Sequence, residues 1–123
     1  MTPIARNLLI LAAASCANLA LLTAASHAPW PVAVAAALLF ALSNNTVFAL
    51  LHECVHGVFA PAANGRGGRL NEWCGRLAAA WFPTGLAVQR VFHLTHHRNN
   101  RSASEQFDIL HEGDVLWLKY AQW

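Results

Sequence analysis

The chain has 123 residues, room for one small domain, yet 56% are hydrophobic and 11% charged, against roughly 25% charged in average usage. That balance argues against a water-soluble globule, and a net charge of +2 with little aromatic–basic interleaving argues against a nucleic-acid partner. Cys16, Cys54 and Cys74 are odd in number and form no CxxC pair, which leaves them as buried or membrane-embedded free thiols.

Residues 8–25 (LLILAAASCANLALLTAA) are an unbroken run of eighteen apolar or small residues, close to the lower limit for crossing a ~30 Å hydrocarbon layer. Pro29 and Pro31 predict a break, and Trp30 between them suits a lipid–water boundary. Residues 32–51 form a second apolar run of twenty, about 30 Å as a helix. So short a connection predicts an antiparallel transmembrane hairpin. Ala13 and Ala17 on the first helix, with Ala33, Ala37 and Ala41 on the second, are expected to form its small-residue packing faces. A cleaved signal peptide is the weaker reading of the first run. Its cut after Ala28 would abut Pro29, and a second apolar run follows at once.

Arg6 precedes the hairpin, whereas Arg66, Arg69, Arg76, Arg90, Arg98 and Arg101 follow it. The positive-inside rule therefore puts both ends in the cytoplasm. Arginine in excess of lysine and abundant alanine point to a bacterial inner membrane. Asn44 and Asn45 interrupt the second run, which is costly in lipid unless they face protein or a polar cavity. Asn45 stands two helical turns before His52, so it is a candidate for supporting that side chain or holding water, beside the plainer role of an interhelical hydrogen bond.

Residues 57–70 (GVFAPAANGRGGRL) read as an exposed loop. Asn71 to Phe92 is amphipathic and aromatic but interrupted at Pro83 and Gly85, which predicts an interfacial or re-entrant segment rather than a third span. The 98–114 stretch is polar. Residues 115–123 (VLWLKYAQW) turn apolar again and read as the start of a further membrane-associated element. The chain is accordingly expected to be the N-terminal portion of a longer protein. The fold class expected is an all-α membrane protein: a helical hairpin followed, over 52–114, by interfacial or cytoplasmic helices.

Chemistry concentrates in two histidine clusters, His52-Glu53-Cys54-Val55-His56 and His93-Leu94-Thr95-His96-His97. Residues three or four apart share one helical face, so each cluster presents its imidazoles in one direction. Imidazole suits iron, zinc, copper or nickel. His52-Glu53-x-x-His56 is also the zinc-protease pattern, with Glu53 as general base. That reading leaves the second cluster unexplained, because five grouped imidazoles exceed one catalytic zinc and suit two metals. His27 in the hairpin turn and His111 lack histidine partners and are expected to be ordinary loop or surface residues.

HECVHG, then Asn71-Glu72-x-x-Gly75, then HLTHH-RNN, in that order after a hairpin, resembles the first two histidine boxes of the membrane fatty acid desaturase and hydroxylase superfamily. The resemblance spans roughly residues 30–110. It implies a non-haem centre of two irons, O2 as co-substrate, a ferredoxin or cytochrome b5-type electron donor, and desaturation of a lipid acyl chain. It also implies His52, His56, His93, His96 and His97 as ligands, with Glu53 orienting an imidazole by a hydrogen bond. Asp108 stands near where the family often has an acidic residue. Carotenoid or alkane hydroxylation is the near alternative. The family's third box, another HxxHH, is missing from these residues. It is expected beyond Trp123, the alternatives being an inactive protein or one completed by another chain.

Overall fold

The computed structural model describes residues 1–61 and 68–99. Four helices stand among them: α1 (Pro3–His27), α2 (Trp30–His56), α3 (Arg69–Ala79) and α4 (Leu86–Asn99). The tip of the 57–70 loop, Asp108, His111 and the 115–123 element lie outside the described residues.

Both long helices outrun the apolar stretches that announce them. Pro3 and Pro31 fall in first helical turns, where the missing N–H has no partner to lose, so they start helices rather than break them. Thr2 Oγ1 caps α1 by accepting from the Ala5 N–H at 3.2 Å. The far end of α2 stops only at Gly57, which adopts the left-handed conformation (φ 77°) that a side chain resists. Its N–H reaches Cys54 O at 3.1 Å, and Val58 N–H reaches Glu53 O at 3.0 Å. The first histidine cluster is thus the last turn of α2, not the beginning of a separate region. At 25 and 27 residues, both helices are long and apolar enough to cross a membrane, and together they are compatible with a transmembrane hairpin.

Asn7, Leu11, Ala14 and Asn18 are the buried residues of α1, alternating steps of four and three as in a left-handed helix pair. The seam is therefore one position away from the expected Ala13/Ala17 face, which is exposed. On α2, Ala36 is buried and Ala33 half-buried, whereas Ala37 and Ala41 face outward. Polar groups fix the register. Asn7 Nδ2 donates to Glu53 Oε2 at 2.9 Å and to Phe59 O at 3.3 Å. Ser43 Oγ donates to Ala14 O at 3.3 Å, and Asn18 Nδ2 to Asn44 Oδ1 at 3.1 Å. In an apolar medium such bonds hold two helices together when packing alone is weak. Asn44 takes the interhelical role; Asn45 is exposed.

The Asn71–Phe92 stretch divides into α3, a turn over 80–85, and α4. One face of α3 carries Asn71, Cys74, Gly75, Ala78 and Ala79, all buried. Their small size lets α3 lie close on α2. Trp81 and Phe82 follow it down, with Trp81 6.4 Å from Phe40 and Phe82 5.5 Å from Phe48, ring centre to ring centre. A Cβ at Gly75 would stand 2.9 Å from Cys54 Cβ and 2.8 Å from Leu86 Cδ2. The leucine tip can move, but Cys54 Cβ is fixed by its helix. Gly75→Val is expected to destabilise the fold by about 1–3 kcal/mol through overpacking, read as a lowered Tm of the detergent-solubilised chain. An unchanged Tm would mean that α3 is free to shift.

Candidate metal centre

His52 and His56, one turn apart on α2, hold their rings 4.7 Å centre to centre. Helix α4 brings His93 to 4.4 Å from His52 and 4.8 Å from His56. His97, one turn further, lies 4.5 Å from His93 and 5.0 Å from His56. The Nε2 atom of His93 is 2.9 Å from Nε2 of His56 and 2.9 Å from Nε2 of His97. One ring nitrogen from each of His52, His56, His93 and His97 falls within 4.8 Å of all the others. Each i, i+4 pair lies on one face of its helix, as the spacing predicts, and the packing of α4 against α2 brings the two pairs together.

His96 joins them less closely. Its ring is 6.3 Å from His93 and 5.7 Å from His97, and it is not one of the four residues whose nitrogens converge. One residue advances a helix by 100°, so His96 cannot share the direction of both His93 and His97. His27 ends α1 at the opposite end of the hairpin. Asn45 is about 10 Å along α2 from His52, seven residues at the helical rise, and so does not support its ring. Glu53, expected to orient an imidazole, has its Oε2 bonded to Asn7 instead. The same 100° step turns it from the histidine face toward α1.

The donor set fits a transition-metal ion. At ligand bonds of ~2.1 Å, ring nitrogens at right angles about one ion lie about 3.0 Å apart, close to the 2.9 Å contacts at His93. A single Nε2 is either N–H or lone pair, so a hydrogen bond alone serves both neighbours of His93 poorly. A cation between three lone pairs serves all of them. Partial burial, and then the neighbouring imidazoles of His52, His97, His56 and His96, push the His93 pKa down to about 4. His93 is therefore neutral, with a lone pair to offer, at any physiological pH. His52, His56 and His97 are exposed and His93 half-buried, which leaves the centre open on one side.

What holds α4 against α2 is a group of residues that no spacing rule singles out. Asn71, fully buried, donates from Nδ2 to Cys54 O at 2.9 Å and accepts from the Ala60 N–H at 3.4 Å. Arg90, one turn before His93, donates from Nη2 to Glu72 Oε1 at 2.7 Å and to Cys54 O at 3.4 Å. The ion pair is one-third exposed, so water weakens it, and its value lies in orientation more than in stability. The signal in the sequence was faint: a lone arginine three residues before a histidine cluster, and a single glutamate between Arg69 and Arg76 on one face of α3.

Arg90→Ala is expected to weaken metal binding about 10–100-fold, as loss of a residue that orients ligands does, with a smaller loss for Arg90→Lys. His93→Ala, which removes a nitrogen at the centre of the group, is expected to cost more than either. Titration of the metal-free chain with ferrous or zinc ion orders the three, and an Arg90→Ala protein that binds like the parent would remove the arginine from this role.

The family model for Fatty acid desaturase matches residues 28–123, a stretch that holds α2, α3, α4 and both histidine clusters. Searches of curated proteins and of solved structures find no match. With more than three-quarters of its length matched by that one model, this chain, whose histidines converge at one end of an apolar helical hairpin, belongs to the fatty acid desaturase family.

Proposed function

We propose that the chain serves a membrane-bound, iron-dependent oxidoreductase that uses O2 to desaturate a lipid acyl chain. The observation that carries this reading is the convergence of four ring nitrogens within 4.8 Å at one end of an apolar hairpin, in a member of this family. Bound iron would supply the redox chemistry with O2 that removal of hydrogen from an unactivated C–H bond demands and that no side-chain acid or base provides.

His52, His56, His93 and His97 are the proposed ligands of one iron. A second iron, as the family reading has it, needs donors beyond these, with His96 the nearest histidine among the described residues. The protein residues contribute in other ways too. The hairpin holds the centre at the level where acyl chains meet water. The exposed side of the cluster gives a substrate access without unfolding a helix. The arginines after the hairpin support a centre on the cytoplasmic side, where a ferredoxin or cytochrome b5-type donor would reach it, and the composition favours a bacterial inner membrane. Hydroxylation would use the same site on the same kind of bond. A zinc protease is disfavoured because the Glu53 carboxylate, its required base, is engaged by Asn7.

Elemental analysis of the detergent-purified chain is expected to find iron, and His96→Ala/His97→Ala is expected to lose it. Glu53→Gln is expected to keep both the iron and O2-dependent conversion of a saturated acyl substrate supplied with reduced ferredoxin. One zinc per chain, retained in the double variant and accompanied by proteolysis that Glu53→Gln abolishes, would overturn the proposal.

A further inference from the structure

The outer faces of α3 and α4 are apolar and no helix among the described residues covers them. Leu70, Trp73, Leu77, Val88 and Val91 are between 43% and 70% exposed. What covers them follows from depth. Asn71 at the start of α3 and Arg90 on α4 both bond Cys54 O, near the histidine-bearing end of α2. Between them the chain runs inward: Trp81 Nε1 donates to Ser15 Oγ at 3.3 Å, and the Trp81 ring lies beside Phe40. Ser15 is the middle residue of α1 (Pro3–His27), ~18 Å from either end at the helical rise. The Trp81 side chain bonded there reaches the midplane of whatever layer α1 crosses, and Phe82 beside it packs on Phe48, two turns inward of His56.

The geometry points to a re-entrant helical hairpin: α3, the 80–85 turn and α4 enter the lipid from the histidine-bearing end, reach the depth of Ser15 and return. The acyl chains of that one leaflet cover their outer faces. The proposal rests on α1 and α2 spanning the bilayer and is independent of which reaction the centre performs.

Charge placement agrees. From Leu77 to Val88 the chain carries no charged residue, whereas Arg69, Glu72 and Arg76 precede this stretch and Arg90 follows it. Arg90 is paired with Glu72 at the upper end. Arg76 is the deepest free cation of α3. Helical side chains lean toward the N-terminus, here the water side, so its guanidinium can reach the headgroups while its stem stays in lipid. It lines one cleft with Arg69, Glu72 and Trp73 and another with residues 82–86.

Irregular backbone is admitted to a membrane only when its polar groups are satisfied, and the turn meets much of that demand internally. Ala80 N–H bonds Arg76 O, Trp81 N–H bonds Ala78 O, and Phe82 N–H bonds Ala79 O, at 3.0–3.2 Å. Pro83 has no N–H to satisfy. Thr84 Oγ1 accepts from Gln89 Nε2 at 2.6 Å, and Gln89 N–H bonds Gly85 O at 3.1 Å.

The test is label depth in phosphatidylcholine vesicles holding the full chain in a Cys16→Ser background. Gly85→Cys suits the tip because a Cβ there meets no atom within 4 Å; Val88→Cys reports the outer face of α4, and Arg98→Cys the water side. Spin labels at Gly85 and Val88 are expected to be several-fold more accessible to oxygen, relative to a water-soluble nickel chelate, than the label at Arg98. An equal ratio at the three sites would put the turn in water and overturn the proposal. Shielding of Gly85 and Val88 from both reagents would also overturn it, by showing that protein rather than lipid covers this face.

Discussion

The carbonyl oxygen of Cys54 is where the structure is tied together. It belongs to the last turn of α2, among the carbonyls that a helix leaves without internal partners. Three donors meet it: the Gly57 N–H that ends the helix, Asn71 Nδ2 from α3 and Arg90 Nη2 from α4. In water such a carbonyl would be hydrated at no cost. Buried, as Cys54 is, it must be bonded by protein, and each protein donor drags an element into place. The same turn of α2 carries His52 and His56, so the elements fastened to this carbonyl are fastened to the histidines as well.

That dependence explains which features were legible in the sequence. Two apolar runs, two prolines and two i, i+4 histidine pairs are local signals, and the helices and the shared face of each histidine pair follow from them; the meeting of the two pairs, across 37 residues, does not. The phase of the α1–α2 seam did not. A helix apolar on every side has no stripe to read, and the buried Asn7 and Asn18, rather than alanine spacing, mark the inward face. The end of α2 was misplaced because hydropathy falls at His52 while helical structure continues to the first left-handed residue, Gly57. The family resemblance implies Glu53 as a group that orients an imidazole, and the helical period places Asn45 on the His52 face. A neighbour at i+1 points elsewhere on a helix, and one at i+7 is too far along it to touch.

Arg90, Glu72 and Asn71 belong to a third kind. Their roles arise from contacts across 17 to 36 residues of sequence, which no periodicity encodes. The Asn71-Glu72-x-x-Gly75 segment was visible only as a pattern. Its physical content is that Asn71 bonds the carbonyl, Glu72 anchors the arginine, and Gly75 lets the two helix backbones approach. Three consecutive requirements of one helix contact fall within one turn and a half of α3.

A donor set built this way has one governing coordinate. Within each helix the distance between two histidines is fixed by the α-helical turn, so only the approach of α4 to α2 can open or close the group. Arg90 sets that approach one turn from His93, and Leu86, packed against Gly75, sets it at the start of α4. Rotation of α4 by one residue would swing His93 and His97 through 100° and replace them with Leu94 and Arg98 in one sense or Phe92 and His96 in the other, breaking the group of four either way. An ion held between the two helices therefore reads their separation directly, and binding it stabilises the contact it depends on. The histidine cluster and the α2–α4 interface are one structure, which is why residues that contribute no ring nitrogen, Arg90 and Leu86 among them, decide whether the cluster closes.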